Sequence, residues 1–285
     1  MSSEPRKAAI LGSPVAHSLS PVLHGAAFAA LGLTGWTYER IETGAAELPA
    51  LVDGLGPEWV GFSVTMPGKR AALDHAGEVT PRAAAVGAAN TLVRKGNGWL
   101  ADCTDVDGVT GALRVAGFSS GEGAVVLGAG GTAAAAVVGL AELGVRRVSL
   151  VVREPARAGE TLDAAKRASL EVDVLRWSEA DFAALASESA VLVNTVPPDA
   201  VLGELDALAS VGCVLDVIYH PWPTPLAEAV MARGGRLATG LDMLLHQAFG
   251  QSEHFTGLPA PREAMRDALR EATGGILPLP LEKDS

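Results

Sequence analysis

Ala124-Val125-Val126-Leu127 runs straight into Gly128-Ala129-Gly130-Gly131-Thr132-Ala133, and the reading of this junction decides the fold. Four consecutive apolar residues read as a strand buried on both faces. The Ala-, Val- and Leu-rich run Thr132–Leu143 that follows reads as a helix. Between them stands GxGxxA, whose glycines permit a tight turn and let backbone N–H groups approach a pyrophosphate. The helix N-terminus behind the turn adds partial positive charge. Glycines that only close a βα turn are the plainer reading. The strand before and the helix after are the context that makes the motif a dinucleotide fingerprint.

Working outward, Val148–Val152, Val172–Leu175, Val191–Asn194 and Val214–Val217 repeat the buried-strand pattern, with helical stretches such as Pro155–Ala168 between them. Regular strand–helix alternation of this kind predicts a doubly wound parallel sheet, a Rossmann domain over 106–240. Upstream, Lys7–Leu11, Trp36–Ile41 and Trp59–Thr65 read as strands separated by Ala/Leu-rich helices, and Thr91–Arg94 and Trp99–Ala101 flank the hairpin signal Gly96-Asn97-Gly98. The expected fold class is therefore α/β with two domains. A mixed α/β domain spans 1–105, and helices near Leu241–Phe255 and Pro261–Ala272 follow the Rossmann domain. The Gly- and Pro-punctuated end, 276–285, reads as a loose tail.

Composition narrows the function. The chain of 285 residues is 48% hydrophobic with a net charge of -11 and no block of clustered Lys or Arg, so it lacks the cationic footprint of nucleic-acid binding. The stretch from Ala124 to Ala141 has Thr132 as its sole polar side chain, but Gly128, Gly130 and Gly131 break it and no second span follows, so no membrane segment is expected. The apolar run Ala8–Leu11 is too short for a signal-peptide core. Two distant cysteines, Cys103 and Cys213, form neither a disulfide framework nor a metal clamp, which fits a reducing, cytoplasmic setting. His17, His24, His246 and His254 carry no metal-binding spacing such as HExxH, and no metal is expected. Oligomeric state is left open, a homodimer included.

The second Rossmann strand bears on the cofactor. An NAD enzyme of this kind places Asp or Glu at its end to hold the ribose hydroxyls. Here Val148–Val152 ends in Arg153, with Arg157 one helical turn on. Two cations in a first helical turn oppose the macrodipole unless an anion lies between them, and the 2′-phosphate of NADP is such an anion. Two solvated arginines are the alternative reading, and Glu154 could instead accept from a ribose hydroxyl.

Near the N-terminus, Gly12-Ser13-Pro14-Val15-Ala16-His17-Ser18-Leu19-Ser20-Pro21 places two hydroxyls, Ser18 and Ser20, on one side of an extended segment. Pro21 suits the first helical position with Ser20 as N-cap, and a helix N-terminus edged by hydroxyls can receive a carboxylate. Capping alone is the structural alternative for Ser20.

At this point the sequence resembles the shikimate dehydrogenase family. The resemblance starts at Gly12 through His24, with Gly25 where the family has Asn. It continues through Gly61-Phe62-Ser63-Val64-Thr65-Met66-Pro67-Gly68-Lys69, with Ser63 for Asn, then Gly87-Ala88-Ala89-Asn90-Thr91 and Ala101-Asp102-Cys103-Thr104-Asp105, with Cys103 for Asn. Asp216-Val217-Ile218-Tyr219 through Leu226, Gly240 through Ala248 and Phe255-Thr256-Gly257 carry it almost to the end of the chain.

The resemblance implies reversible, NADPH-dependent reduction of 3-dehydroshikimate to shikimate. It assigns Lys69 and Asp105 to the reacting oxygen, Ser18 and Ser20 to the substrate carboxylate, and Thr65, Asn90 and Gln247 to the ring hydroxyls, with Tyr219 lining the same site. Gly128, Ala129, Gly130, Gly131, Thr132, Ala133, Arg153, Arg157, Thr195 and Gly240 are the expected NADP-binding residues. It also implies that the last helices, within 241–275, complete the first domain, the substrate-binding one.

Locally, Lys69 follows Pro67-Gly68 and opens a helix expected over Arg70–Ala76. That position lowers an ammonium pKa, Asp105 opposes the shift, and the sequence leaves the balance open. Seen alone, the pair also reads as an ordinary surface salt bridge. A quinate/shikimate dehydrogenase with NAD preference, another two-domain dehydrogenase, and a non-catalytic dinucleotide sensor are the rival readings. Retention of both Lys69 and Asp105 weighs against the sensor.

Overall fold

The protein is described by a computed structural model covering residues 4–282. It divides into two compact units, one formed by residues up to Thr104 with Gln247–Leu281, the other by Asp105–His246.

In the first unit, strands β1 (Lys7–Gly12), β2 (Thr37–Glu42), β3 (Trp59–Val64), β4 (Glu78–Val79), β5 (Thr91–Lys95) and β6 (Gly98–Asp102) form a six-stranded sheet in the order β2-β1-β3-β5-β6-β4. β1 pairs in parallel with β2 and β3, whereas β5 runs antiparallel to β3 and to β6. The hairpin expected around Asn97 joins β5 to β6. Leu11, Leu48, Phe62, Leu92 and Trp99 form the core on one face. On the other face Ala8, Phe28 and Phe255 cluster, so the helix Gly240–Thr256 packs on this sheet through its last turns. Gly61 makes that packing feasible: a Cβ there would stand 2.5 Å from the Phe255 ring and 2.6 Å from the Leu92 carbonyl.

In the second unit, β7 (Gly123–Leu127), β8 (Arg147–Val152), β9 (Glu171–Arg176), β10 (Val191–Asn194), β11 (Cys213–Asp216) and β12 (Arg236–Thr239) form a second six-stranded sheet, in the order β12-β11-β10-β7-β8-β9. Every pairing is parallel. Strand order reverses at β7, between β8 and β10, and ligands of doubly wound sheets bind outside the strand ends at such a switch point. β10 and β11 are buried at every residue, as expected for interior parallel strands. β9 differs. None of its residues is fully buried, because it lies at one edge of the sheet and is covered less completely.

The apolar stretch from Ala124 resolves into β7 and the helix Gly131–Glu142. No helix among the described residues is long and apolar enough to cross a membrane. Pro155–Ala168 splits into a short 3-10 turn, Pro155–Arg157, and a helix, Gly159–Arg167. Of the expected tail, the described part after Ala272 has no regular element, yet Leu279 is fully buried, and residues 283–285 lie outside the described residues.

Candidate active site

In the first unit, β1 and β3 are parallel neighbours, so the loops leaving their C-terminal ends start side by side. The Thr65 N–H donates to the Leu11 carbonyl at 2.8 Å and the Ser13 N–H to the Met66 carbonyl at 2.9 Å. A Cβ on Gly12 would collide with the Thr65 side chain. These contacts hold Thr65 against the base of the loop that carries Ser18 and Ser20.

Ser20 is not the N-cap. The helix is Ser20–Ala30, so Ser20 already lies in its first turn, and the Leu19 side chain has nothing with which to cap. The hydroxyl of Ser18 takes over by accepting the Ser20 N–H at 3.2 Å. The Arg40 guanidinium donates to the Ser18 carbonyl at 2.7 Å and fixes the loop from the β2 side.

Lys69 is the first residue of the helix Lys69–His75 and is half-buried. Its carbonyl accepts the Ala89 N–H at 2.9 Å, which brings Asn90 close to this turn. The Asn90 amide donates to Thr104 Oγ1 at 2.9 Å and to Gln247 Oε1 at 3.2 Å, while its oxygen accepts the Thr104 N–H at 2.8 Å. Asn90 and Gln247, far apart in sequence, therefore form one buried, pre-set pair.

A second network lies behind this pair. The Gln251 amide nitrogen donates to the Asn90 carbonyl and to Thr91 Oγ1, both at 3.0 Å, which turns Oε1 the other way. That oxygen accepts from Ser63 at 2.7 Å. Because the Ser63 proton is committed there, Tyr38 donates to Ser63, at 2.6 Å. His24 stacks on Tyr38 with ring centroids 4.4 Å apart and meets Gln251 Oε1 at 3.3 Å. Burial pushes the His24 pKa down to about 4, outweighing the Gln251 bond, so the ring is neutral at pH 7 and donates through Nε2. Burial likewise raises the Tyr38 phenol above its ordinary range, against its hydrogen bonds with Ser63 and Ser20. Ser63, which stands where the family has Asn, is thus the relay between Tyr38 and Gln251.

The end of β6 is pinned by Asp102, whose side chain is 1% exposed. It accepts from Thr80 at 2.6 Å, from Arg82 Nε at 2.7 Å, from His254 at 2.6 Å and from the Cys103 N–H at 2.8 Å. Burial alone would raise its pKa, but the bonds from Arg82, His254 and Thr80 outweigh it and hold the carboxyl well below the usual range. Cys103 is a buried free thiol, and Gly25 sits exposed with open space where a side chain would go.

In the second unit, Asp105 opens the helix Asp105–Val115 and is 7% exposed. At the switch point Gly128 has φ +96°, and a Cβ there would lie 2.5 Å from Thr195 Oγ1 and 2.9 Å from Val196. The Thr195 hydroxyl in turn donates to the Leu127 carbonyl at 2.6 Å. Gly130 and Gly131 have open space above the backbone, and no side chain caps the helix Gly131–Glu142.

A cavity of ≈ 600 Å³ opens here, lined by Gly128, Ala129, Gly130, Thr195 and both Arg153 and Arg157. Its size is that of a cofactor site, and a glycine cradle with two cations matches a phosphorylated dinucleotide. Its lining stops at Gly130; Gly131, Thr132 and Ala133 form the first turn of the helix beyond. Gly240 does not line it either. A Cβ on Gly240 would strike the Val217 carbonyl and stand 2.8 Å from the Tyr219 ring, so Gly240 instead lets that ring pack. The Tyr219 segment is anchored by buried Asp216, which accepts from Asn194 at 3.0 Å, from Thr224 at 2.5 Å and from the Ile218 N–H at 3.2 Å.

Comparison with known proteins agrees with this geometry. Residues 10–92 match the shikimate dehydrogenase substrate binding domain, and residues 240–270 match the shikimate 5′-dehydrogenase C-terminal domain. A shikimate dehydrogenase (NADP(+)) of Methylobacterium radiotolerans is 40% identical over 276 residues, 92% of this chain and 95% of that protein. The chain belongs to the shikimate dehydrogenase family. Among solved structures, the Mycobacterium tuberculosis shikimate dehydrogenase superposes with a TM-score of 0.88 at 56% identity, covering 94% of this chain and all (100%) of that one. A Thermus thermophilus shikimate 5-dehydrogenase in complex with NADP(H) and shikimate gives 0.78 at 32% identity, covering 94% and 99%.

In this member of the family, sequence reasoning passed over several residues that build the site. Asp102, Tyr38 and Gln251 were unassigned, as were Trp177 and Glu154's neighbour Arg176. The signal for Gln251 was present: it lies one helical turn after Gln247, on the same helix face.

Proposed function

We propose that the protein is an NADP-dependent shikimate dehydrogenase, interconverting 3-dehydroshikimate and shikimate in the cytoplasm, in a first, substrate-binding unit completed by 247–281 and a second, NADP-binding one. The observation that carries this reading is the cavity at the strand-order reversal, with Gly128 beneath and Arg153 and Arg157 at its rim, in a chain of this family. Gly128, Ala129, Gly130 and Thr195 hold the pyrophosphate end, and Arg153 and Arg157 the 2′-phosphate. NADPH, when bound, supplies the hydride.

The chain's own residues do the remaining work. Ser18 and Ser20 orient the substrate carboxylate, and Thr65, Asn90 and Gln247 take the ring hydroxyls. The pre-set Asn90–Gln247 pair lowers the reorganisation that binding requires. Lys69, as ammonium, stabilises the developing alkoxide and gives it a proton, with Asp105 as its acid–base partner and Tyr219 lining the site.

The test is a substrate-by-cofactor matrix, shikimate and quinate against NADP and NAD, run on wild type and Lys69→Ala. We expect shikimate with NADP to dominate, and Lys69→Ala to lower kcat by about 10²–10⁴-fold with unchanged thermal stability. Preference for NAD, or near-normal turnover by Lys69→Ala, overturns the cofactor or the catalytic assignment respectively.

A further inference from the structure

The rim of the dinucleotide cavity carries a carboxylate as well as two cations. Glu154 lines it beside Arg153 and Arg157. Left to itself, that carboxylate would repel a 2′-phosphate and would accept from a free ribose 2′-hydroxyl, favouring the cofactor without the phosphate. The neighbouring strand supplies a counter-charge. The parallel register of β8 and β9 sets Arg176 directly beside Val152, so its side chain leaves the sheet next to the Arg153-Glu154 turn. Its guanidinium lies 3.6 Å from the Glu154 carboxylate and donates to the Arg153 carbonyl at 3.3 Å. Glu179 stands 3.9 Å from Nε of the same guanidinium. Arg176 does not itself line the cavity, whereas Trp177, the next residue, does.

We infer that Arg176 is a positioning residue for cofactor selectivity, which neutralises Glu154 and steadies the Arg153 turn so that the rim receives a 2′-phosphate. The inference rests on the NADP reading above. The pair is half-exposed, so its contribution to stability is small. Its effect is on the charge that an anion meets at the rim, and that effect weakens as salt is raised.

The test is direct binding of NADPH and NADH by titration calorimetry on wild type, Arg176→Ala, Arg176→Lys, Glu154→Gln and the double variant Arg176→Ala/Glu154→Gln. The readout is the ratio of the two affinities. Arg176→Ala should lower the NADPH preference by about three- to tenfold, Arg176→Lys should keep most of it, and the double variant should return to the ratio of Glu154→Gln. A merely structural role would weaken both cofactors equally and leave the ratio untouched, which overturns the inference. A wild type that prefers NADPH with an unchanged ratio in Arg176→Ala also overturns it while sparing the NADP reading. A wild type without NADPH preference overturns that reading itself.

Discussion

Replacing Asp102 by Asn keeps the shape of a side chain that is 1% exposed and removes the charge at the centre of its four partners. Two of those partners, Arg82 and His254, make charge-assisted bonds, each contributing about 1.5–3 kcal/mol. An Asn amide can accept on one side only, and its own N–H groups would face donors on the other. Arg82 and His254 are 26% and 28% exposed, so they recover part of their hydration. The net loss is therefore about 3 kcal/mol, below the upper end for stranding a fully buried charge. In a chain of this length that corresponds to a fall of about 6–12 °C in the unfolding midpoint.

Linkage adds a second signature. The folded-state pKa of Asp102 is depressed, so its stabilisation is complete above the unfolded value near about 3.9 and is lost as pH falls from there toward the folded value. Urea unfolding of wild type and Asp102→Asn at about pH 7 and about pH 3 should show the gap narrowing by roughly 1 kcal/mol. A midpoint within about 2 °C of wild type, or a gap that does not change with pH, refutes the reasoning.

Gly128→Ala should weaken NADPH binding at least about tenfold, because both the positive φ and the Thr195 hydroxyl oppose a Cβ; an unchanged Kd would show that the turn yields. Gln251→Leu should cost about 2–4 kcal/mol in urea unfolding, since Ser63 and His24 lose an acceptor and the Asn90 carbonyl a donor; a loss below about 1 kcal/mol would mean that water replaces the amide. Arg153→Ala should lose about 1.5–3 kcal/mol of NADPH binding and almost none of NADH binding, measured by titration; equal losses would give Arg153 a structural role instead.

Local patterns carried the Rossmann half. β7, β8, β10 and β11 are runs of apolar residues, and the glycine motif sits where the strand order reverses, because burial on both faces writes itself directly into sequence. β12 was missed: it opens with exposed Arg236 and is four residues long (4 res), too short for a pattern to stand out. β4 is two exposed residues (2 res) held by pairing to β6 alone.

The polar interior was illegible for a different reason. Asp102 meets His254 across 152 positions and Ser63 meets Gln251 across 188, so no window of sequence contains both partners. Ser20 shows the limit at short range, since Ser-Pro read as a cap and the helix began one residue earlier.

The interleaving of the two units has a consequence for biosynthesis. The second unit is built almost wholly from one stretch, Asp105–His246, whereas the first waits for Gln247–Leu281 before its sheet can be covered by Phe255 or its polar interior closed by Gln251. At synthesis rates of about 5–20 residues per second, Ser63 emerges on the order of ten to forty seconds before the glutamine that satisfies it. During that interval the β1–β3 layer exposes apolar surface and unpaired strand edges, the features that recruit chaperones and invite aggregation. A segment translated later thus commits one translated earlier.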